Sequence, residues 1–337
     1  MKSKILVTGG AGYIGSHTVV ELVNAGYTPI IVDSLQNSNS LIIQQVEKIT
    51  GVKIEFHQID LCESEEIERL ITNNPDIQDV IHFAAFKAVN ESVSFPLKYY
   101  RNNLYSLINV LEAFKGRHVN LVFSSSCTVY GQPDQLPVSE SATIKKAESP
   151  YGNTKQIAEE ILEDLASVDK NFNITSLRYF NPVGAHPSAM IGELPNGTPQ
   201  NLFPYITQSA TGRRGLKELT VYGDDYNTPD GSCIRDFIHV VDLAKAHVVA
   251  LEFMKNNHQT NYNVFNIGTG RGYSVLEVIK EFEELTGVKL NYKIGQRRSG
   301  DIEKIFSDVK KSSKVLKWKA ENGLKEMIQS AWAWENI

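Results

Sequence analysis

A short apolar run, Ile5-Leu6-Val7, gives way to Thr8-Gly9-Gly10-Ala11-Gly12-Tyr13-Ile14-Gly15 and then to SHTVVELVNAG, which ends near Gly26. An unbroken apolar triplet reads as a strand buried on both faces, the kind found in parallel sheets. A strand that turns through glycines into a helix constrains the rest of the chain, because parallel neighbours need crossover connections. Gly9 permits the tight turn, Gly12 lets a pyrophosphate approach the backbone, and Gly15 lets helix and strand pack closely. The N-terminus of that helix is expected to hold the phosphate charge. This arrangement predicts a dinucleotide site. A glycine turn with only a structural role is the plainer alternative.

A second strand, Thr28 to Val32, ends at Asp33, near the spacing expected for the acid that accepts from the adenosine ribose. A carboxylate there repels a 2′-phosphate, and no arginine follows in SLQNSNS, so NAD is expected rather than NADP. The alternative is a simple strand-end turn acid. Lys53 to Gln58 reads as a third strand, with Asp60-Leu61 placed to meet an adenine edge. A helix over Ser64 to Asn73 leads to the strand Val80-Ile81-His82-Phe83, followed by the small residues Ala84-Ala85 and then Phe86-Lys87. His82, among apolar neighbours and with no metal-spaced partner, reads as a structural histidine.

Tyr99 to Phe114 reads as a long helix containing Asn102 and Asn103, with Leu104, Leu107, Ile108 and Leu111 as its buried stripe. It is expected to cover a sheet face and to offer a dimer surface. The strand Asn120 to Phe123 runs into Ser124-Ser125-Ser126, where hydroxyls meet ligands in open α/β sheets, or else form an ordinary turn. With Ile174 to Leu177 added, the first 180 residues read as an α/β domain with a doubly wound parallel sheet.

Ser149-Pro150 is a helix start, a hydroxyl cap followed by a proline whose missing N–H costs nothing. Ile157, Ala158, Ile161, Leu162 and Leu165 continue at helical spacing, which sets Tyr151 and Lys155 one turn apart on one face. An ammonium beside a phenol favours the phenolate and so predicts a tyrosine base near neutral pH. A surface Tyr/Lys pair is the bland alternative.

The net charge of −5 gives no electrostatic reason to expect nucleic acid or an anionic membrane as partner. Cys62, Cys127 and Cys233 lack metal-type spacing and read as reduced thiols. The N-terminus enters a strand without a secretory h-region, and no apolar run is long enough to span a bilayer, so a cytoplasmic protein is expected.

TGGAGYIGSH, IHFAAFKAVNESV, FSSSCTVYG, SPYGNTK and RYFNPVGAHPS together resemble the UDP-glucose 4-epimerase family, extended members of the short-chain dehydrogenase/reductase superfamily, over essentially the whole chain. The resemblance implies a Rossmann-type domain and makes Tyr151 the catalytic acid/base. Lys155 then binds the nicotinamide ribose and lowers the tyrosine pKa, while Ser126 meets the reacting oxygen. It places Gly9, Gly12, Tyr13, Ile14 and Gly15 at the NAD diphosphate and Asp33 at the ribose. Asn37, Asp60, Leu61, Phe83, Ala84, Lys87, Asn102 and Phe180 fall on further cofactor contacts. Related dehydratases carry a Thr-Asp-Glu triad where this chain has Ser126-Cys127-Thr128, which argues against water elimination.

Beyond Pro182 the pattern loosens into a Pro-, Gly- and Asn-rich stretch, read as a smaller mixed α/β domain over 181–337 that binds the UDP-sugar, with segments near 236–268 packing back on the first domain. By the same resemblance Lys87, Asn181, Asn201 and the Leu202 backbone hold the sugar diphosphate, and Arg235, Arg298 and Asp301 form the nucleotide clamp. Two guanidinium forks suit a diphosphate, and Asp301 suits a ribose hydroxyl. The family position matching Ile305 gates the sugar pocket: tyrosine excludes N-acetyl groups and a small residue admits them. The expected reaction is reversible, NAD-dependent C4 inversion of UDP-galactose and UDP-glucose by a homodimer without metal. The alternatives are UDP-N-acetylhexosamines or UDP-pentoses as substrates, or a silent NAD-binding regulatory protein.

Overall fold

The computed structural model of the chain describes residues 3–195, 197–257, 260–298 and 301–336, with only the backbone of Arg214. Six strands follow one another: β1 (Lys4–Thr8), β2 (Thr28–Asp33), β3 (Glu55–Gln58), β4 (Asp79–His82), β5 (Val119–Ser126) and β6 (Phe172–Tyr179). Helices α1 (Tyr13–Asn24), α2 (Leu41–Thr50), α3 (Ser64–Asn73), α4 (Val89–Ser94), α5 (Pro96–Ala113) and α6 (Pro150–Val168) connect them. Next come β7 (Asn181–Val183), α7 (Leu202–Thr211), β8 (Leu219–Tyr222), β9 (Ile234–His239), α8 (Val240–Asn256) and β10 (Tyr262–Ile267). The remainder is β11 (Gly272–Ser274), α9 (Val275–Thr286), β12 (Tyr292–Gly295), β13 (Lys304–Ile305) and α10 (Leu324–Glu335).

The central sheet is parallel and ordered β3-β2-β1-β4-β5-β6-β10. The order reverses between β1 and β4, which opens a crevice at their carboxyl ends, where such sheets take ligands. Alternation along each strand feeds two cores. Val7, Ile31, Ile81, Val122 and Leu177 pack with Val19, Leu243, Ala246 and Leu251 of α1 and α8. Leu6, Ile30, Val80, Leu121 and Ile174 pack on the other face with Leu107, Leu111 and Leu162 of α5 and α6. Cover on both faces explains why these strands read as continuous apolar runs.

Most boundaries follow the hydrophobic pattern, and α3 coincides with its expected span. β5 runs on through Ser124–Ser126, residues read as a strand end or turn, because they stay paired with Leu177–Tyr179 of β6. α5 begins at Pro96, where proline at the first helical position costs no hydrogen bond.

A separate core joins Phe203 and Ile206 of α7, Phe237 of β9, Val278 and Phe282 of α9, and Met327 and Ile328 of α10. Its strands are short: β7 and β13 pair parallel to β9, β11 pairs antiparallel to it, and β8 pairs with β12. The molecule is thus an α/β protein with a doubly wound, Rossmann-type sheet and a smaller mixed α/β part.

Candidate active site

The glycine turn is fixed by its neighbours. Gly9 has φ +69°, and a Cβ there would lie 2.8 Å from the Ala84 nitrogen. A Cβ on Gly15 would fall 2.3 Å from the Gly9 oxygen, so helix and turn touch as the spacing demands. Gly12 is the N-cap of α1 and offers no side chain to the first-turn N–H groups, which leaves them directed outward beside Tyr13 and Ile14. Tyr13 donates to the Gly184 carbonyl at 2.6 Å, tying α1 to the second half.

Asp33 lies just past this turn and braces it. One carboxylate oxygen accepts from Ala11 N at 3.0 Å; the other accepts from Leu35 N at 2.9 Å and Ser38 Oγ at 2.8 Å. Asn37 stands exposed beside it. Asp60 accepts from Cys62 N and Gln36 Nε2, while the carbonyl of buried Leu61 accepts from Asn109. Phe83 N donates to the Thr8 carbonyl, and its ring packs 4.6 Å from His247. His82 is the structural histidine its surroundings suggested: its Nδ1 lies 2.9 Å from Thr8 Oγ1, and burial lowers its pKa to about 3. Asn102 donates to its neighbour Asn103 and accepts from the Cys62 thiol. Asn103, assigned no role by the sequence, organises the wall by bonding Phe86 N, Phe86 O and Thr154 Oγ1.

At the head of α6 the Ser149 hydroxyl accepts from Gly152 N at 3.1 Å, with Pro150 at the first helical position. Tyr151 and Lys155 are both buried on the face turned to β5. Lys155 Nζ donates to the Ser124 carbonyl at 2.8 Å and lies 4.7 Å over the Phe123 ring. Ser126 accepts from Thr128 N at 3.3 Å and neighbours the Tyr151 phenol.

One expectation needs correction. Burial, reinforced by Tyr179, pushes the Tyr151 phenol well above its ordinary pKa, and the neighbouring Ser126 hydroxyl only partly opposes this. The Lys155 ammonium donates to the Ser124 carbonyl. Burial in turn lowers Lys155 to about 8, against the opposing pull of Glu159.

Across the crevice Glu193, missed in the loosely patterned stretch, accepts from Lys87 Nζ at 2.8 Å and Asn201 Nδ2 at 2.7 Å. Asn201 precedes α7 without a side-chain cap, so the first-turn N–H groups of Leu202 and Phe203 are left to face an anion. Asn181 opens β7, directly after buried Phe180. Arg298 makes a two-pronged contact with Asp301 at 2.9 and 3.2 Å, and Arg235 Nη2 lies 3.9 Å from the same carboxylate. Ser299 and Gly300 of this motif lie outside the described residues. The Arg298 guanidinium sits 4.8 Å over Tyr222, another residue without a sequence signal. Ile305 pairs with Arg235 in the β13–β9 ladder and packs with Cys127, Val129 and Phe180, joining the arginine end to the strand end that carries Ser126. Among the described residues no three metal-ligating side chains cluster, and no helix is long and apolar enough to cross a membrane.

A sequence profile of the NAD dependent epimerase/dehydratase family matches residues 5–268. The chain belongs to that family. A UDP-glucose 4-epimerase of Dictyostelium discoideum is 49% identical over 335 residues, covering 99% of this chain and 96% of that protein. The structure of UDP-glucose 4-epimerase from Stenotrophomonas maltophila with bound NAD and formylated UDP-arabinopyranose is 46% identical, with a TM-score of 0.95 over 99% of this chain and 98% of that one. The Bifidobacterium longum UDP-glucose 4-epimerase, in complex with NAD+ and UDP, gives 0.94 at 46% identity and the same coverage. Membership in the NAD dependent epimerase/dehydratase family makes this an NAD-dependent enzyme. The open α1 terminus and the cradle that a Cβ on Gly9 would fill both fit the dinucleotide.

Proposed function

We propose that the enzyme interconverts UDP-galactose and UDP-glucose by inverting C4, as a step of galactose metabolism. The observation that carries this reading is the burial of Tyr151 and Lys155 on one face of α6 against the carboxyl end of β5, where Lys155 donates to the Ser124 carbonyl and Ser126 neighbours the phenol. Gly9, Gly12, Tyr13, Ile14 and Gly15 hold the cofactor diphosphate, and Asp33 with Asn37 holds the adenosine ribose. Asp60 and Leu61 border the adenine. Phe83, Ala84, Lys87, Asn102, Tyr151, Lys155 and Phe180 line the nicotinamide side. When bound, NAD supplies the oxidant for C4 and returns the same electron pair to the opposite face of the 4-keto sugar.

Tyr151 Oη takes the proton of the 4-hydroxyl and later returns it. Ser126 donates to the same oxygen and fixes its distance from the phenol. Since burial favours the neutral phenol, the base form depends on cationic surroundings, to which the Lys155 ammonium contributes below about pH 8. Asn181, Asn201, the Leu202 N–H, Arg235 and Arg298 grip the diphosphate, Asp301 accepts from the uridine ribose, and Tyr222 offers a flat ring to the base. Residues 1–180 thus serve the cofactor, with 236–268 added to them, and 181–337 serve the UDP-sugar.

Buried Ile305 supports a second reading, acceptance of UDP-N-acetylhexosamines, because an aliphatic side chain leaves more room than a tyrosine would. A homodimer is proposed through the helical face where Leu97 and Tyr105 of α5 are exposed, and the cytoplasm is the proposed location. Incubation with UDP-galactose should give an equilibrium mixture with UDP-glucose and no net NADH. Absence of UDP-glucose, or stoichiometric NADH release, would exclude the epimerase reading.

A further inference from the structure

Ser125 and Arg178 stand directly opposite each other in the β5–β6 ladder, and both side chains end on one carboxylate, Glu159 of α6. Ser125 Oγ donates to Glu159 Oε1. Arg178 donates through Nε at 3.0 and 3.1 Å and through Nη2 at 2.6 Å. Ser125 is fully buried, and Glu159 and Arg178 are each 6% exposed. Glu159 lies one turn beyond Lys155 on the same helix face. On β5 the residues flanking Ser125 are the two that adjoin the reacting pair: Ser124, whose carbonyl accepts from Lys155, and Ser126, which neighbours the Tyr151 phenol.

A buried ion pair returns little stability beyond its desolvation cost, so fold stability is a weak reason for this one. Geometry supplies another. We infer that Glu159 is a positioning residue for turnover: by gripping Ser125 and Arg178 it locks α6 against β5 in the one register that delivers Lys155 to Ser124 and Tyr151 to Ser126. The inference rests on the reading of Tyr151 and Lys155 as the reacting pair. Glu159 also faces Lys155 with the opposite charge. The other titratable groups around the pair are His82 on β4, Tyr99 on α5, Cys127 after β5, and Tyr179 on β6. Around Glu159 they are Arg178 on β6, Tyr130 after β5, and Tyr262 on β10.

The test uses the full-length holoenzyme with UDP-galactose. Ser125→Ala keeps the ion pair and removes one strut, and it should lower kcat about tenfold with KM within about twofold. Ser125→Thr, which keeps the hydroxyl, should recover most of that loss. Glu159→Gln keeps the acceptor for Ser125 but removes the charge, and it should move the alkaline limb of the kcat profile down by about one pH unit. If Glu159→Gln does not fold, the two Ser125 variants decide. A lower melting temperature with kcat and the alkaline limb unmoved overturns the inference and leaves Glu159 a structural group. Tyr151→Phe, run in parallel, separates the two levels. If it still turns over, the reading of the reacting pair fails. If it is dead while the Ser125 and Glu159 variants match the parent, only the inference about Glu159 fails.

Discussion

The two ends of the crevice are built on opposite principles. At the β5–α6 end the central polar groups are buried and set against another element: Lys155 on a strand carbonyl, Tyr151 beside Ser126, and Ser125 on Glu159. At the arginine end the side chains lie nearer the surface and answer mainly to each other, with Arg298 38% exposed and folded onto Asp301. Rigid burial suits a step in which a proton moves between fixed atoms. A half-exposed clamp suits a ligand that must enter and leave, and part of its attraction is offset by the ion pair it gives up. The first end should therefore govern kcat and the second KM.

Tyr151→Phe should strike hardest, lowering kcat about a thousandfold with KM and melting temperature close to the parent. Steady-state assays with UDP-galactose beside thermal unfolding check it, and unchanged turnover would remove Tyr151 from the chemistry. Arg298→Lys exchanges a fork for a point charge and should raise KM about tenfold while kcat stays within about twofold. An equal fall in kcat would break the division between the two ends.

The smallest effect concerns pH. Burial lowers Lys155 to about 8, so its ammonium is present below that value and is lost as pH rises through it. Turnover should fall to about half near pH 8, while KM stays flat because guanidinium groups keep their charge throughout. Stability runs the other way. Between about 8 and the ordinary lysine value the folded chain binds fewer protons at this site than the unfolded chain, so this group makes folding more favourable as pH rises. Paired kcat and unfolding profiles over pH 7–10 would show the divergence, and a parallel decline of both would refute it.

What the sequence discloses divides along the same line. The glycine turn, the Ser149-Pro150 cap and the Tyr151/Lys155 spacing are local patterns whose geometry follows from neighbouring residues, and the fold keeps them. Asn103, Glu193 and Tyr222 matter through partners far along the chain, so nothing adjacent to them marks their roles. The serines of β5 mislead for a related reason: hydroxyls suggest a turn, but pairing with β6 holds them in the ladder. The shift of Tyr151 away from the base form was also illegible, since neighbour spacing carries a charge argument but not depth of burial.

The seventh strand of the central sheet, β10, comes from Tyr262–Ile267, far along the chain from β6 beside it. During synthesis, β6 has no neighbour on that flank until this late piece has left the ribosome. The nascent protein therefore carries an open sheet border, a place where two unfinished copies can join wrongly. Completion of the central sheet thus waits on translation as far as Ile267.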